Sequence, residues 1–92
     1  MDDCSSSSAT QHAKQTFGLR LRELRRARGL SQESLAELAA LDRTYVSSCE
    51  RGHRNISLEN IYRLAAALGV EPAELLKQPG ENPAGDTPTR AG

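Results

Sequence analysis

Between residues 13 and 77 the apolar residues recur at helical spacing in five short blocks, each bounded by a residue that starts or stops a helix. That punctuation constrains the fold more than any other feature of the chain. The first block, about 13–28, places Phe17, Leu21 and Leu24 at i, i+4 and i+7, with Gly29 as its stop. Ser31 is a good N-cap for a second helix over 32–39, with Leu35, Leu38 and Ala39 inward. Asp42 can cap a third helix over about 43–51, ended by Gly52. Ser57 caps a fourth, 58–68, with Leu58, Ile61, Leu64, Ala65 and Leu68 inward and Gly69 after it. Pro72 fits the first turn of a fifth, roughly 72–77, carrying Leu75 and Leu76. No stretch alternates with period two for long enough to be a strand. The pattern predicts an all-α, five-helix domain.

Outside those blocks the composition changes. Ser5 to Ser8 and the run from Gln78 to Asp86 lack apolar periodicity, and three of the four prolines and three of the seven glycines follow residue 78. Such segments cannot offset the entropy of ordering the chain. The expected division is a disordered head, 1–12, a helical domain, 13–77, and a disordered tail, 78–92. A chain of 92 residues makes one small domain at most, and a domain of that size gains from a partner subunit. There is no apolar run of about 18 residues, so no membrane helix is expected. The acidic, polar N-terminus is unlike a secretory signal, so a cytoplasmic setting is expected.

Several functions are disfavoured by what the chain contains. Three aromatics (Phe17, Tyr45, Tyr62) are too few for a platform that stacks single-stranded bases. Cys4 and Cys49 lie 45 positions apart with no CxxC, and His12 and His53 are isolated, so neither a disulfide framework nor a metal site is expected. Cys49 reads as a small core residue. No GxSxG, HExxH or Walker A signature and no paired carboxylates occur, so no catalytic residue and no cofactor are assigned.

The zero net charge is unevenly spread: residues 1–13 carry −2, residues 14–77 carry +3, and residues 78–92 carry −1. Lys14, Arg20, Arg22, Arg25, Arg26 and Arg28 surround a single acid, Glu23. Such a cluster suits a polyanion, although a solvated helix face would look the same. The third helix adds more. At about 100° per residue, Val46 and Cys49 share one side with Tyr45 at its edge, while Arg43, Thr44, Ser47, Ser48 and Arg51 fall opposite. Two arginines and three small hydroxyls without an acid suit the DNA major groove. Arg bonds guanine O6 and N7 in bidentate fashion, and Ser and Thr bring the helix close to the base edges.

The runs Leu30-Ser31-Gln32-Glu33-Ser34-Leu35-Ala36, Leu41-Asp42-Arg43-Thr44-Tyr45-Val46-Ser47 and Glu50-Arg51-Gly52 resemble the Cro/repressor type of helix-turn-helix, the xenobiotic-response-element family. Ile61, Leu64, Ala65, Leu68 and Gly69 extend the resemblance, which covers about residues 14–77. Asp42 to Tyr45 and Arg51 to Ser57 also resemble the controller proteins of restriction-modification systems.

The resemblance implies roles at matching positions. Arg43, Thr44 and Ser47 would address bases, with Ser48 on the same expected face and Arg43 the strongest guanine reader. Gln32 would contact a phosphate and brace the recognition helix; beside it Ser31 sits among helix-start N–H groups that attract anions. Tyr45 would lie along the backbone or a flanking base. Arg51, His53, Arg54 and Asn55 would form the loop that grips phosphates, with Arg54 also within reach of a base edge. Arg25 and Glu50 match a pair that joins the first helix to the third, a structural ion pair. Two positions depart from the pattern: Ala40 stands where the family often has Gly, and Cys49 replaces a larger aliphatic.

These features predict a repressor-like regulator that binds double-stranded DNA at a pseudo-palindromic operator. It would act as a homodimer through Val70, Leu75 and Leu76, apolar residues that a domain this small would not bury alone. The competing reading is an antitoxin or adaptor module whose main partner is a protein, a toxin or RNA polymerase for example. In its pure form that reading calls for an apolar or acidic face on the third helix, which the sequence does not provide.

Overall fold

A computed structural model describes residues 3–80. Its elements, in chain order, are α1 (Asp3–Ala27), α2 (Gln32–Ala39), α3 (Arg43–Glu50), α4 (Leu58–Leu68) and α5 (Pro72–Leu75), and the described residues contain no strand. Leu21, Leu35, Val46, Leu64, Leu68 and Leu75 are fully enclosed, with Phe17, Ala36, Ala39, Cys49 and Ala65 completing the core. Each helix contributes at least one of them, so no helix can leave without opening the core.

Local sequence accounts for most helix ends. Ser31 and Ser57 stand in extended backbone before α2 and α4, and their hydroxyls accept from the N–H groups of Ser34 (3.0 Å) and Asn60 (3.2 Å). Asp42 occupies the same backbone position before α3, but its side chain makes no cap hydrogen bond, contrary to expectation. Four helices close with the same pair of backbone bonds around a left-handed residue. Gly29, Gly52 and Gly69 supply three of these residues, and Ala40 (φ 60°, ψ 43°) supplies the one between α2 and α3. The turn of the resembled family is therefore kept despite the missing glycine, with the alanine forced into a conformation that its Cβ disfavours.

Three expectations about packing need correction. Leu38 is 61% exposed, and Ala36 is buried in its place. The buried stripe of α2 runs through Leu35, Ala36 and Ala39, because small alanines let the neighbouring helices approach. Leu58 is 69% exposed, since it begins α4 and lies off the stripe of Leu64, Ala65 and Leu68. The first helix starts at Asp3, ten residues ahead of the expected position, so residues 3–12 of the expected disordered head are helical. Extending a formed helix adds one bond per residue and needs no new nucleus. The Gln11 side chain also ties this extension down by donating to the Gly52 carbonyl (3.1 Å). Of the expected tail, residues 81–92 lie outside the described residues.

Candidate nucleic-acid interface

The candidate interface is built on α3, whose eight residues divide sharply. Val46, Ser48, Cys49 and Glu50 are buried, Tyr45 and Ser47 are half-buried, and Arg43, Thr44 and the following Arg51 are exposed. The expected face therefore loses one member. Ser48 is 9% exposed, and the His53 N–H donates to its carbonyl (2.9 Å). Arg43, Thr44 and Ser47 remain, and Arg51 leans onto them by donating from Nη1 to the Ser47 hydroxyl (2.6 Å).

From behind, α3 is gripped by charge and by close contact. The Arg25 guanidinium donates to both Glu50 oxygens (2.6 and 3.1 Å) and also to the Leu30 carbonyl (2.8 Å). Gln32 Nε2 adds a third donor to Glu50 (3.0 Å). Bidentate, fully donated arrangements of this kind are the strong form of ion pairing. Gln32 thus braces α3 through Glu50 while standing at the start of α2. Gly18 makes the approach of α1 possible: a Cβ there would sit 2.6 Å from the Glu50 carbonyl oxygen and 2.9 Å from its carbon.

Beyond α3, the loop presents His53, Arg54 and Asn55 to solvent, while Gly52 is buried against Gln15 of α1 at φ +76°. Arg54 lies over the Tyr45 ring, 5.0 Å from its centroid. The Tyr45 hydroxyl accepts from Asn60 Nδ2 of α4 (3.0 Å). Beneath it, burial pushes the Cys49 thiol above its ordinary pKa, opposed by hydrogen bonding from Tyr45 and by the nearby Arg54.

The basic cluster read in the first helix separates into distinct tasks. Arg20 is 1% exposed. It fixes α5 to α1 by donating to the Glu74 carbonyl (2.7 Å), the Glu74 carboxylate (3.1 Å) and Glu23 (3.1 Å). Arg25 serves Glu50, and Arg28 donates to the Leu68 carbonyl at the end of α4. Arg22 and Arg26 are left exposed. Much of the sequence's positive run is therefore spent inside the protein.

The three expected dimer residues also separate. Leu75 is fully buried within the chain, so it fills the core rather than a subunit interface. Val70 is half-buried, and Leu76 is 64% exposed. Gly18, Asn60, Gln11 and the Arg20–Glu74 link were not singled out in the sequence. A glycine inside a long helical pattern was the one available signal among them, since it weakens a helix unless something must come close. Among the described residues no group of three His, Cys, Asp or Glu side chains could hold a metal ion, and no helix is long and apolar enough to cross a membrane.

Comparison with known proteins places this geometry among relatives. A model of the helix-turn-helix family matches residues 21–75. The chain is 46% identical over 68 residues to the control protein C.BamHI of Bacillus amyloliquefaciens, covering 73% of this chain and 84% of that protein. The restriction-modification controller protein C.AhdI from Aeromonas hydrophila has 63% identity and a TM-score of 0.67, covering 67% of this chain and 94% of that one. The controller protein C.Esp1396I, solved as a tetramer in complex with its natural 35 base-pair operator, has 29% identity and a TM-score of 0.62, covering 71% of this chain and 96% of that one.

Proposed function

The chain belongs to the helix-turn-helix family, and from that premise we propose that it is a sequence-specific DNA-binding transcriptional regulator of the restriction-modification controller type. It reads a pseudo-palindromic operator in the major groove as a homodimer. One observation carries this reading: α3 is locked from behind by Arg25, Glu50 and Gln32, yet offers Arg43, Thr44 and Ser47 to solvent with no acid among them. A helix held in this way keeps its reading groups in a fixed register, which base discrimination requires. Arg43 addresses guanine, and Thr44 and Ser47 address neighbouring bases. Ser31, Gln32, Arg51, His53, Arg54 and Asn55 meet phosphates, which set register and orientation rather than sequence.

Homodimerisation follows from the half-operator that one domain can cover. The exposed Leu76, with Val70 beside the core, gives the α5 end apolar surface to share. A two-fold arrangement would set two copies of α3 about one turn of DNA apart, roughly 34 Å. The operator complex of the similar C.Esp1396I, a tetramer, supports assembly on DNA as the working form.

In vitro selection from random duplexes, at about 150 mM salt to suppress purely electrostatic binding, tests the reading. Enrichment of a two-fold symmetric site is the expected result. A protein that folds but enriches nothing would overturn it, and a monomeric mass with and without the selected duplex would overturn the dimer.

A further inference from the structure

Tyr45 is directed toward α4, where its hydroxyl accepts from the Asn60 amide at 3.0 Å. A phenol oxygen accepts through its lone pairs, so this bond engages the polar end of Tyr45 inside the chain. The half-buried ring is held at its hydroxyl end as a result, and its face carries the Arg54 guanidinium. Asn60 is well placed to act as the anchor. It is half-buried in the first turn of α4, and its own backbone N–H is capped by Ser57. Arg54 is the opposite case, an exposed residue on an irregular segment. A free arginine there would lose up to about 2 kcal/mol of rotamer entropy on meeting a partner.

We propose that Asn60 is a positioning residue for DNA binding: through the Tyr45 ring it holds the Arg54 guanidinium beside the recognition helix, ready to meet a phosphate. The inference rests on the DNA-binding reading above. It also gives Tyr45 the part of a platform rather than of a group that touches the DNA backbone. The stack itself is weak, since an exposed cation–π contact is worth about 0.5–1 kcal/mol. Its effect is to remove, before DNA arrives, freedom that would otherwise be lost on binding.

Three substitutions in the full chain test this. Asn60→Leu keeps the size and removes the donor, Tyr45→Phe keeps the ring and removes the acceptor, and Arg54→Ala removes the cation. In the free protein, the ring-current shift of the Arg54 side-chain protons, read by NMR, should collapse toward the free-arginine position in Asn60→Leu. On a random-sequence duplex, Arg54→Ala should lower the slope of log K against log salt by about one. On the same duplex Asn60→Leu should weaken binding about 2- to 10-fold. That loss should vanish in an Arg54→Ala background, as expected of groups that act through one another. An unchanged Arg54 shift in Asn60→Leu, or an equal loss of binding in both backgrounds, would overturn the proposal. If Asn60→Leu does not fold, Tyr45→Phe carries the same test, because it removes the other half of the same hydrogen bond. A wild-type chain that binds no duplex would instead sink the DNA-binding reading, whereas normal binding by wild type and Asn60→Leu alike would sink this inference alone.

Discussion

The two ends of α3 are held in opposite ways. At its C-terminal end, Glu50 receives two bonds from Arg25 and one from Gln32, and the backbone lies directly against Gly18 of α1. At its N-terminal end, Arg43 and Thr44 are exposed, Asp42 makes no side-chain cap bond, and among the described residues the Arg43 side chain has no hydrogen bond or ion pair. An eight-residue helix is only about 12 Å long, so fixing one end and one side orients the whole. The rigidity comes chiefly from Arg25, Glu50 and Gly18, which are turned into the protein, while the side chains of Arg43 and Thr44 stay exposed. Arg25 and Arg43 show the contrast within one residue type: the first is consumed by the protein, and the second, the proposed guanine reader, is left in water.

The largest effect should come from the held end. Glu50→Ala leaves Arg25 mostly buried without its carboxylate and removes the acceptor for Gln32. Removing one partner of a buried pair costs about 3–5 kcal/mol. For a chain this small, that would unfold most molecules at 37 °C, and a drop in the urea midpoint with little change in slope would check it. Gly18→Ala attacks the same end through shape. Its methyl would collide with the Glu50 carbonyl, and backbone cannot swing aside as a side-chain tip can. A loss of about 2–3 kcal/mol is expected, as for overpacking in a close-packed interior. If either variant melts like the parent, the claim that this end is the clamp fails.

At the free end the expectation reverses. Arg43→Ala should move stability by less than about 0.5 kcal/mol, as exposed substitutions usually do. It should nevertheless erase guanine preference at one operator position, a discrimination worth about 1–3 kcal/mol, read by repeating the duplex selection with the variant. A variant that loses stability but keeps its preference would invert the comparison between the two ends.

How much of this was legible in the sequence depended on whether local chemistry decided it. The five helices, the Ser31 and Ser57 caps and the core leucines follow from spacing and capping, which act over a few residues. The resemblance to a known family supplied Arg25–Glu50, a contact between residues far apart in sequence. What escaped were features set by three-dimensional approach. Leu38 points outward because two alanines, not two leucines, define the buried stripe of α2. Ser48 is buried by its three-dimensional surroundings, which a helical wheel does not contain. Arg20 looked like part of a polyanion-binding run, yet it is buried on Glu74, 54 residues further along the chain. Charge along a sequence does not distinguish a side chain offered to a ligand from one already spent on the fold.

The junction between the free and held parts of the motif allows a finer test. The turn before α3 and the turn after it are closed by equivalent backbone bonds, Leu41 N–H to the Ala36 carbonyl (2.8 Å) and His53 N–H to the Ser48 carbonyl (2.9 Å). Gly52 supplies the left-handed residue in one and Ala40 in the other. An alanine there carries a steric cost of about 1–2 kcal/mol that glycine avoids. Glycine returns part of that gain as extra freedom of the unfolded chain, about 0.5–1 kcal/mol. Ala40 is exposed, so losing its methyl sacrifices no packing. Ala40→Gly should therefore stabilise the chain by up to about 1 kcal/mol, visible as a higher thermal midpoint, with the selected operator unchanged. Ala40→Val should do the reverse, because a β-branched residue tolerates this region least. A glycine variant that gains stability but shifts or blurs the operator would mean that the strained turn, and not only the clamp on Glu50, helps to set the angle of α3.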